Sequence, residues 1–206
     1  MKTIFLFDLD STVTKAEILP TIAESIGKGG EMRELTEKTM MGDLPFQESF
    51  SSRVKLLSRI PVAEVSEMVA GIPVSEEIVT FLKEHTNNCF IVTSNLDVWI
   101  DGLMKKIGMK NNCYCSEAIV ENGEIRGIKK ILAKESVQDK LTARAKIVAV
   151  GDGSNDFEMI RKADIGISYG GVRNIAPSLV EVSDYSFYDE KKLCSFLRRI
   201  EEEENE

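Results

Sequence analysis

Thr3–Thr14 reads TIFLFDLDSTVT. Its first five residues, Thr3 to Phe7, are β-branched, aromatic or leucine, which predicts a buried strand. The strand runs into Asp8, skips Leu9 to Asp10, and continues through Ser11, Thr12 and Thr14. In extended chain, residues two apart point the same way, so Asp8 and Asp10 can aim two carboxylates at one point. That point lies just past a strand's C-terminal end, where open parallel α/β sheets place their sites. Two close carboxylates repel unless a cation or a shared proton offsets them. An acidic strand-to-turn junction has the same composition, because Asp is common in turns.

Working outward, Glu17 to about Ala70 reads as helical, with breaks at Asp43-Leu44-Pro45 and Ile60-Pro61. Phe46, Phe50, Val54 and Leu57 form one amphipathic face. Arg53 lies seven residues from Phe46 and shares that face. It is either a snorkelling side chain or one held for an anion. No β-pattern interrupts this block, so residues 15–74 are expected to form a helical insertion. From Ser75 onward strands and helices alternate. Ser75 with Glu76 and Glu77 has the form of a helix start. Cys89–Thr93 reads as a strand and Asp97–Ile107 as a helix stopped by Gly108. Asn122-Gly123 marks a hairpin within Ala118–Gly127. A helix near Lys134–Ala143 leads to the strand Lys146–Val150, and Gly151–Asp156 follows as GDGSND. Further strands are expected at Asp164–Ser168 and Tyr185–Tyr188, before a terminal helix Lys191–Ile200. Such alternation predicts the α/β class, a doubly wound parallel sheet. The core is expected from residues 1–14 and 75–206.

The chain has 206 residues, 43% of them hydrophobic and 29% charged, enough for one core domain plus a sizeable insertion. No apolar run approaches the ~20 residues that span a bilayer, so no membrane partner is expected. The first apolar run stops at Asp8, too early for a leader peptide, and a cytoplasmic protein is the expectation. Net charge is −8 and no basic stripe is present, which argues against a nucleic-acid partner. Cys113 and Cys115 form a C-x-C with no second pair to complete a zinc site, and reduced thiols are expected. The only histidine is His85, near the end of a helical segment where a surface position is expected, which argues against serine–histidine hydrolysis and multi-histidine metal centres. Acid and base chemistry must then come from carboxylates or lysine.

Four polar clusters remain: Asp8/Asp10/Thr12, Ser94, Lys134 and Asp152/Asn155/Asp156. In a parallel sheet the first, second and fourth share the C-terminal edge. Several carboxylates without histidine suit a hard cation, Mg2+ above all. A metal beside a lysine and a hydroxyl makes a place for a phosphoryl group. An ionised Asp8 can attack phosphorus and form an aspartyl-phosphate. Gly151 and Gly153 permit a tight turn and close backbone approach.

In this order the clusters resemble the haloacid dehalogenase superfamily of phosphohydrolases. Its D-x-D-x-T motif matches Asp8-Leu9-Asp10-Ser11-Thr12, its Ser or Thr after the second strand matches Ser94, and its acidic loop matches Gly151–Asp156. Its lysine matches Lys134, with Lys129 and Lys130 as rivals. The resemblance implies Asp8 as nucleophile and Asp10 as general acid, then base. It implies Mg2+ on Asp8, the Asp10 carbonyl and Asp152. Ser94, Lys134 and Asn155 would hold the phosphoryl oxygens, with Asn95 beside them at the substrate edge. Within the superfamily the chain is similar to the phosphoserine phosphatases, whose cap segment TMMGDLPFQESFSSRV resembles. That likeness implies a small helical cap over residues 15–74. In it Glu17 would meet a substrate ammonium, Met40 and Phe46 would line the pocket, and Arg53 would pair with a carboxylate. One departure stands out: S-G-G-F in that group is Ser94-Asn95-Leu96-Asp97 here. The implied activity is hydrolysis of O-phospho-L-serine or a similar small phosphorylated metabolite by a monomer or homodimer. Transfer to an alcohol such as homoserine, and a general sugar or nucleotide phosphatase, use the same residues.

Overall fold

A computed structural model describes residues 2–40, 43–141 and 145–202. The first strand, β1, spans Lys2–Phe7, and every residue from Thr3 to Phe7 is buried. Alternation along it separates two cores. Phe5 and Phe7 join one apolar cluster, while Ile4 and Leu6 join another. A strand buried on both faces in this way belongs in the middle of a parallel sheet.

After β1 come α1 (Ile18–Ser25), α2 (Gly29–Met40), α3 (Phe46–Leu57), α4 (Val62–Gly71) and α5 (Glu76–Glu84). Then follow β2 (Cys89–Leu96), α6 (Asp97–Ile107), β3 (Cys113–Glu121), β4 (Glu124–Lys130) and β5 (Ala145–Gly151). The chain ends through α7 (Phe157–Lys162), β6 (Ile165–Tyr169), α8 (Pro177–Val180), β7 (Tyr185–Phe187) and α9 (Glu190–Glu202). The seven strands form one sheet in the order β4-β3-β2-β1-β5-β6-β7. All neighbours are parallel except β3 and β4, joined through Asn122 and Gly123 with φ of 52° and 79°. Those left-handed values suit a two-residue hairpin turn. The chain builds β2 and β3 on one side of β1, and β5 to β7 on the other. The order therefore reverses at β1, and crevices at such a reversal hold ligands.

Phe50, Val54 and Leu57 of α3 are buried. Phe46 stacks on Phe50 with centroids 5.9 Å apart, and the Arg53 guanidinium lies 6.0 Å from the Phe46 ring. Among the described residues no helix is long and apolar enough to cross a membrane.

One local expectation needs correction. Lys134–Ala143 is not one helix: short 3-10 turns cover Lys134–Ser136 and Gln138–Lys140, while Thr142 and Ala143 lie outside the described residues. Tertiary bonds override helical propensity here. The Lys134 ammonium is drawn to Asp8 and Asp156, and Gln138 Nε2 donates to the Met159 carbonyl at 2.6 Å. Ser75 is the N-cap residue of α5, as expected, with Glu76 and Glu77 in the first turn; its hydroxyl donates to the Thr12 carbonyl at 3.1 Å.

Candidate active site

The backbone leaves β1 with the Asp8 amide donating to Val150 of β5 at 2.9 Å. It then turns: Ser11 takes φ 54°, and the Thr14 amide returns to the Leu9 carbonyl at 2.9 Å. Asp8 is left at the sheet edge, only 2% exposed. The Lys134 ammonium donates to Asp8 Oδ1 and, at 2.6 Å, to Asp156 Oδ1. Asp156 Oδ2 accepts from the amides of Asp152 and Gly153 at 3.2 and 3.1 Å, which shapes the loop after β5. A Cβ on Gly151 would stand 2.6 Å from Asp156 Cγ, so this fold of the loop requires glycine there. Carboxylate oxygens of Asp8, Asp152 and Asp156 lie within 4.8 Å of one another.

Asp10 is held separately. Its Oδ1 accepts from the Ile18 amide at 2.8 Å, at the start of α1, and its Oδ2 accepts from Asn95 Nδ2. Asn95 Nδ2 also donates to Thr93 Oγ1 at 2.9 Å, so β2 fixes the amide that meets Asp10. Thr12 Oγ1 reaches Asp152 Oδ1 at 3.5 Å.

Burial and neighbouring like charges disfavour the ionised form of crowded acids. Burial, and then Asp156, raise Asp8 well above the usual carboxylate range, against the pull of Lys134. Burial and Glu17 push Asp10 up to about 6, and burial and Asp156 push Asp152 up to about 6. Burial works against the charge of Lys134, yet Asp156 and Asp8 outweigh it and hold the ammonium above its ordinary value. Three oxygen donors with this mutual repulsion fit a hard divalent cation, which would relieve it.

Above these groups lies a cavity of about 160 Å³. Its floor includes Asp8, Asp10, Ser94, Asn95 and Asp152, while Glu17, Phe46, Phe50 and Arg53 close it from the helical side. Arg53 Nε is buried without a hydrogen-bond partner. Burial lowers the Arg53 pKa from its ordinary value, opposed by Glu17 and Asp10. A buried donor of this kind stands ready for an acceptor.

Of the three lysines considered for the site, Lys134 is 3% exposed and touches Asp8, whereas Lys129 is exposed and pairs with Glu117 at 2.7 Å. Lys130 is exposed on β4. Asn155 lines the cavity from the acidic loop. The Met40 side chain lies outside the described residues. Asp156, read only as part of the loop, turns out to be the second partner of Lys134. Arg173 was not anticipated at all. Its Nε donates to Asp152 Oδ2, and its NH1 lies 2.6 Å from Glu17 Oε1. The one sequence cue is a cation in the glycine-rich run Gly170–Asn174 after β6.

The haloacid dehalogenase-like hydrolase family model matches residues 5–161. A phosphoserine phosphatase of Archaeoglobus fulgidus is 31% identical over 92% of this chain, which spans only 57% of that relative's length. One of Methanocaldococcus jannaschii is 30% identical over 82% of this chain and 85% of its own. A solved phospho-aspartyl intermediate analogue of phosphoserine phosphatase superposes with TM-score 0.77 at 26% identity, covering 95% of this chain and 98% of that one. The family match runs from β1 into α7 and takes in the ends of β1, β2 and β5 that carry the pocket, so the chain belongs to the haloacid dehalogenase-like hydrolases.

Proposed function

We propose that the protein is a Mg2+-dependent phosphomonoesterase that works through an aspartyl-phosphate on Asp8. Its substrates are small phosphorylated carboxylates, with O-phospho-L-serine as the reference compound. The observation that carries this reading is Asp8 itself: a buried carboxylate at the cavity floor, on the ammonium of Lys134. An Asp8 oxygen attacks phosphorus, the ester P–O bond breaks, and Asp10 gives its proton to the departing alkoxide. Water then attacks the phosphorus of the aspartyl-phosphate. Asp10 takes a proton from that water, and inorganic phosphate leaves with Asp8 restored. Asn95 and the Ile18 amide keep Asp10 in place through both steps. Lys134 matches the charge of Asp8 before attack and that of the phosphoryl oxygens after it. Ser94 and Asn155, which line the cavity, would hold the same oxygens.

Mg2+ would be held by Asp8, Asp152 and the Asp10 carbonyl, and when bound it supplies charge that offsets the phosphoryl oxygens. Asp156 would stay on Lys134 and the loop amides. The helical block over residues 15–74 would act as the cap, with Phe46 against the substrate and Arg53 on its carboxylate. The names of the relatives and the unpartnered Arg53 Nε support this choice. A hydrolysis screen over phosphoserine, phosphothreonine, sugar phosphates, nucleotides and an aryl phosphate tests it. Release of phosphate is expected from the carboxylate-bearing esters, is lost in chelator and returns with Mg2+. Full activity after exhaustive chelation contradicts the metal assignment.

A further inference from the structure

Glu17 precedes α1 at the cavity wall, and it already has a cationic partner. Its Oε1 lies 2.6 Å from Arg173 NH1 and accepts from the Ser11 hydroxyl at 3.3 Å. Arg173 is anchored at its other edge, where Nε donates to Asp152 Oδ2. Its seat is shaped by the backbone: a Cβ on Gly153 would stand 2.7 Å from Arg173 NH2 and 2.5 Å from Asn155 Oδ1. Both ion pairs hold Arg173 above its ordinary pKa against the effect of burial. Across the cavity stands the second guanidinium, Arg53, with its Nε unpartnered.

These contacts change what the cavity asks of a ligand. A substrate ammonium aimed at Glu17 must displace a guanidinium and then sit in a pocket that holds two of them. Like charges brought together in a partly dry pocket repel, and an arginine fork is well suited to carboxylate and phosphate. We infer that Arg173 sets substrate choice, directing the site toward phosphorylated acids that carry a hydroxyl or hydrogen where phosphoserine carries its ammonium. The inference rests on the phosphomonoesterase reading and names the substrate class within it.

The test compares kcat/KM for three compounds: an aryl phosphate, O-phospho-L-serine and 3-phospho-L-glycerate, in which a hydroxyl replaces the ammonium at the same configuration. Wild-type protein is expected to favour phosphoglycerate over phosphoserine by roughly ten- to a hundredfold, the range of one charge-assisted hydrogen bond. Arg173→Ala frees Glu17, so the ratio should fall toward unity or invert. The lost contact with Asp152 acts on all three compounds and cancels in the ratio. The wild-type ratio needs no variant, so the test survives a poorly folding Arg173→Ala. A wild-type preference for phosphoserine, lost selectively in Glu17→Gln, would show Glu17 leaving Arg173 for the substrate and would overturn the inference alone. No turnover of any of the three would remove the phosphatase reading, and the inference with it.

Discussion

Lys134 lies buried with its ammonium between the buried carboxylates of Asp8 and Asp156. Lys134→Met keeps much of the volume and removes the charge. It leaves two buried acids uncompensated, which costs about 3–5 kcal/mol when one partner of a buried pair is lost. Urea unfolding should show that loss, together with loss of turnover; an unchanged midpoint contradicts the charge balance described above. Two neighbouring acids, Asp10 and Asp152, set a pH dependence. Asp10 and Asp152 stand at about 6 in the folded protein against an ordinary value of 3.8. A raised carboxylate favours the fold while it stays protonated, fully so below 3.8, and that contribution is lost as pH rises through about 6. A divalent cation held by the Asp8 and Asp152 carboxylates requires their ionised forms. The rise in Tm on adding Mg2+ should therefore be larger at about pH 7.5 than at about pH 5. Equal increments at both contradict the carboxylate site.

Among the helices, α4 and α6 approach so closely that Gly102 has no room for a side chain. A Cβ there would stand 2.9 Å from both the carbonyl and the hydroxyl oxygen of Ser66, and the Gly102 amide donates to Ser66 Oγ at 3.1 Å. Gly102→Ala gains about 1 kcal/mol of helix propensity but forces apart a backbone contact, an overpacking that costs ~1–3 kcal/mol. The net expectation is a lower unfolding midpoint, read by urea titration; a higher midpoint contradicts the close packing. Most elements could be read from local chemistry. Gly108 stops α6 with φ 77°, and Asn122-Gly123 turns the hairpin. Residues 134–141 could not, because long-range bonds from Lys134 and Gln138 decide their course. Ser75 marks the start of α5 as read, while its hydroxyl finds a partner 63 positions away.

Over the whole molecule, the sheet order reverses at β1, and that reversal brings Asp8, Asn95 and Asp152 to one edge from three strands. Strand-helix alternation made the parallel, doubly wound sheet foreseeable, and the order of the four polar clusters made the family visible. Arg173 stayed hidden because nothing around it in the chain reports that β6 and β5 carry it across to Glu17 and Asp152. The proposed mechanism makes Asp8 the nucleophile, and trapping the enzyme during turnover tests that most directly. Wild type is mixed with O-phospho-L-serine or an aryl phosphate, quenched in acid, digested and weighed by mass spectrometry, beside Asp8→Asn. That substitution is nearly isosteric and should leave the fold intact. The expected result is one phosphoryl group on the peptide containing Asp8 in wild type, with neither adduct nor turnover in Asp8→Asn. Normal turnover by Asp8→Asn, or turnover by wild type with the phosphoryl group on another residue, contradicts the account.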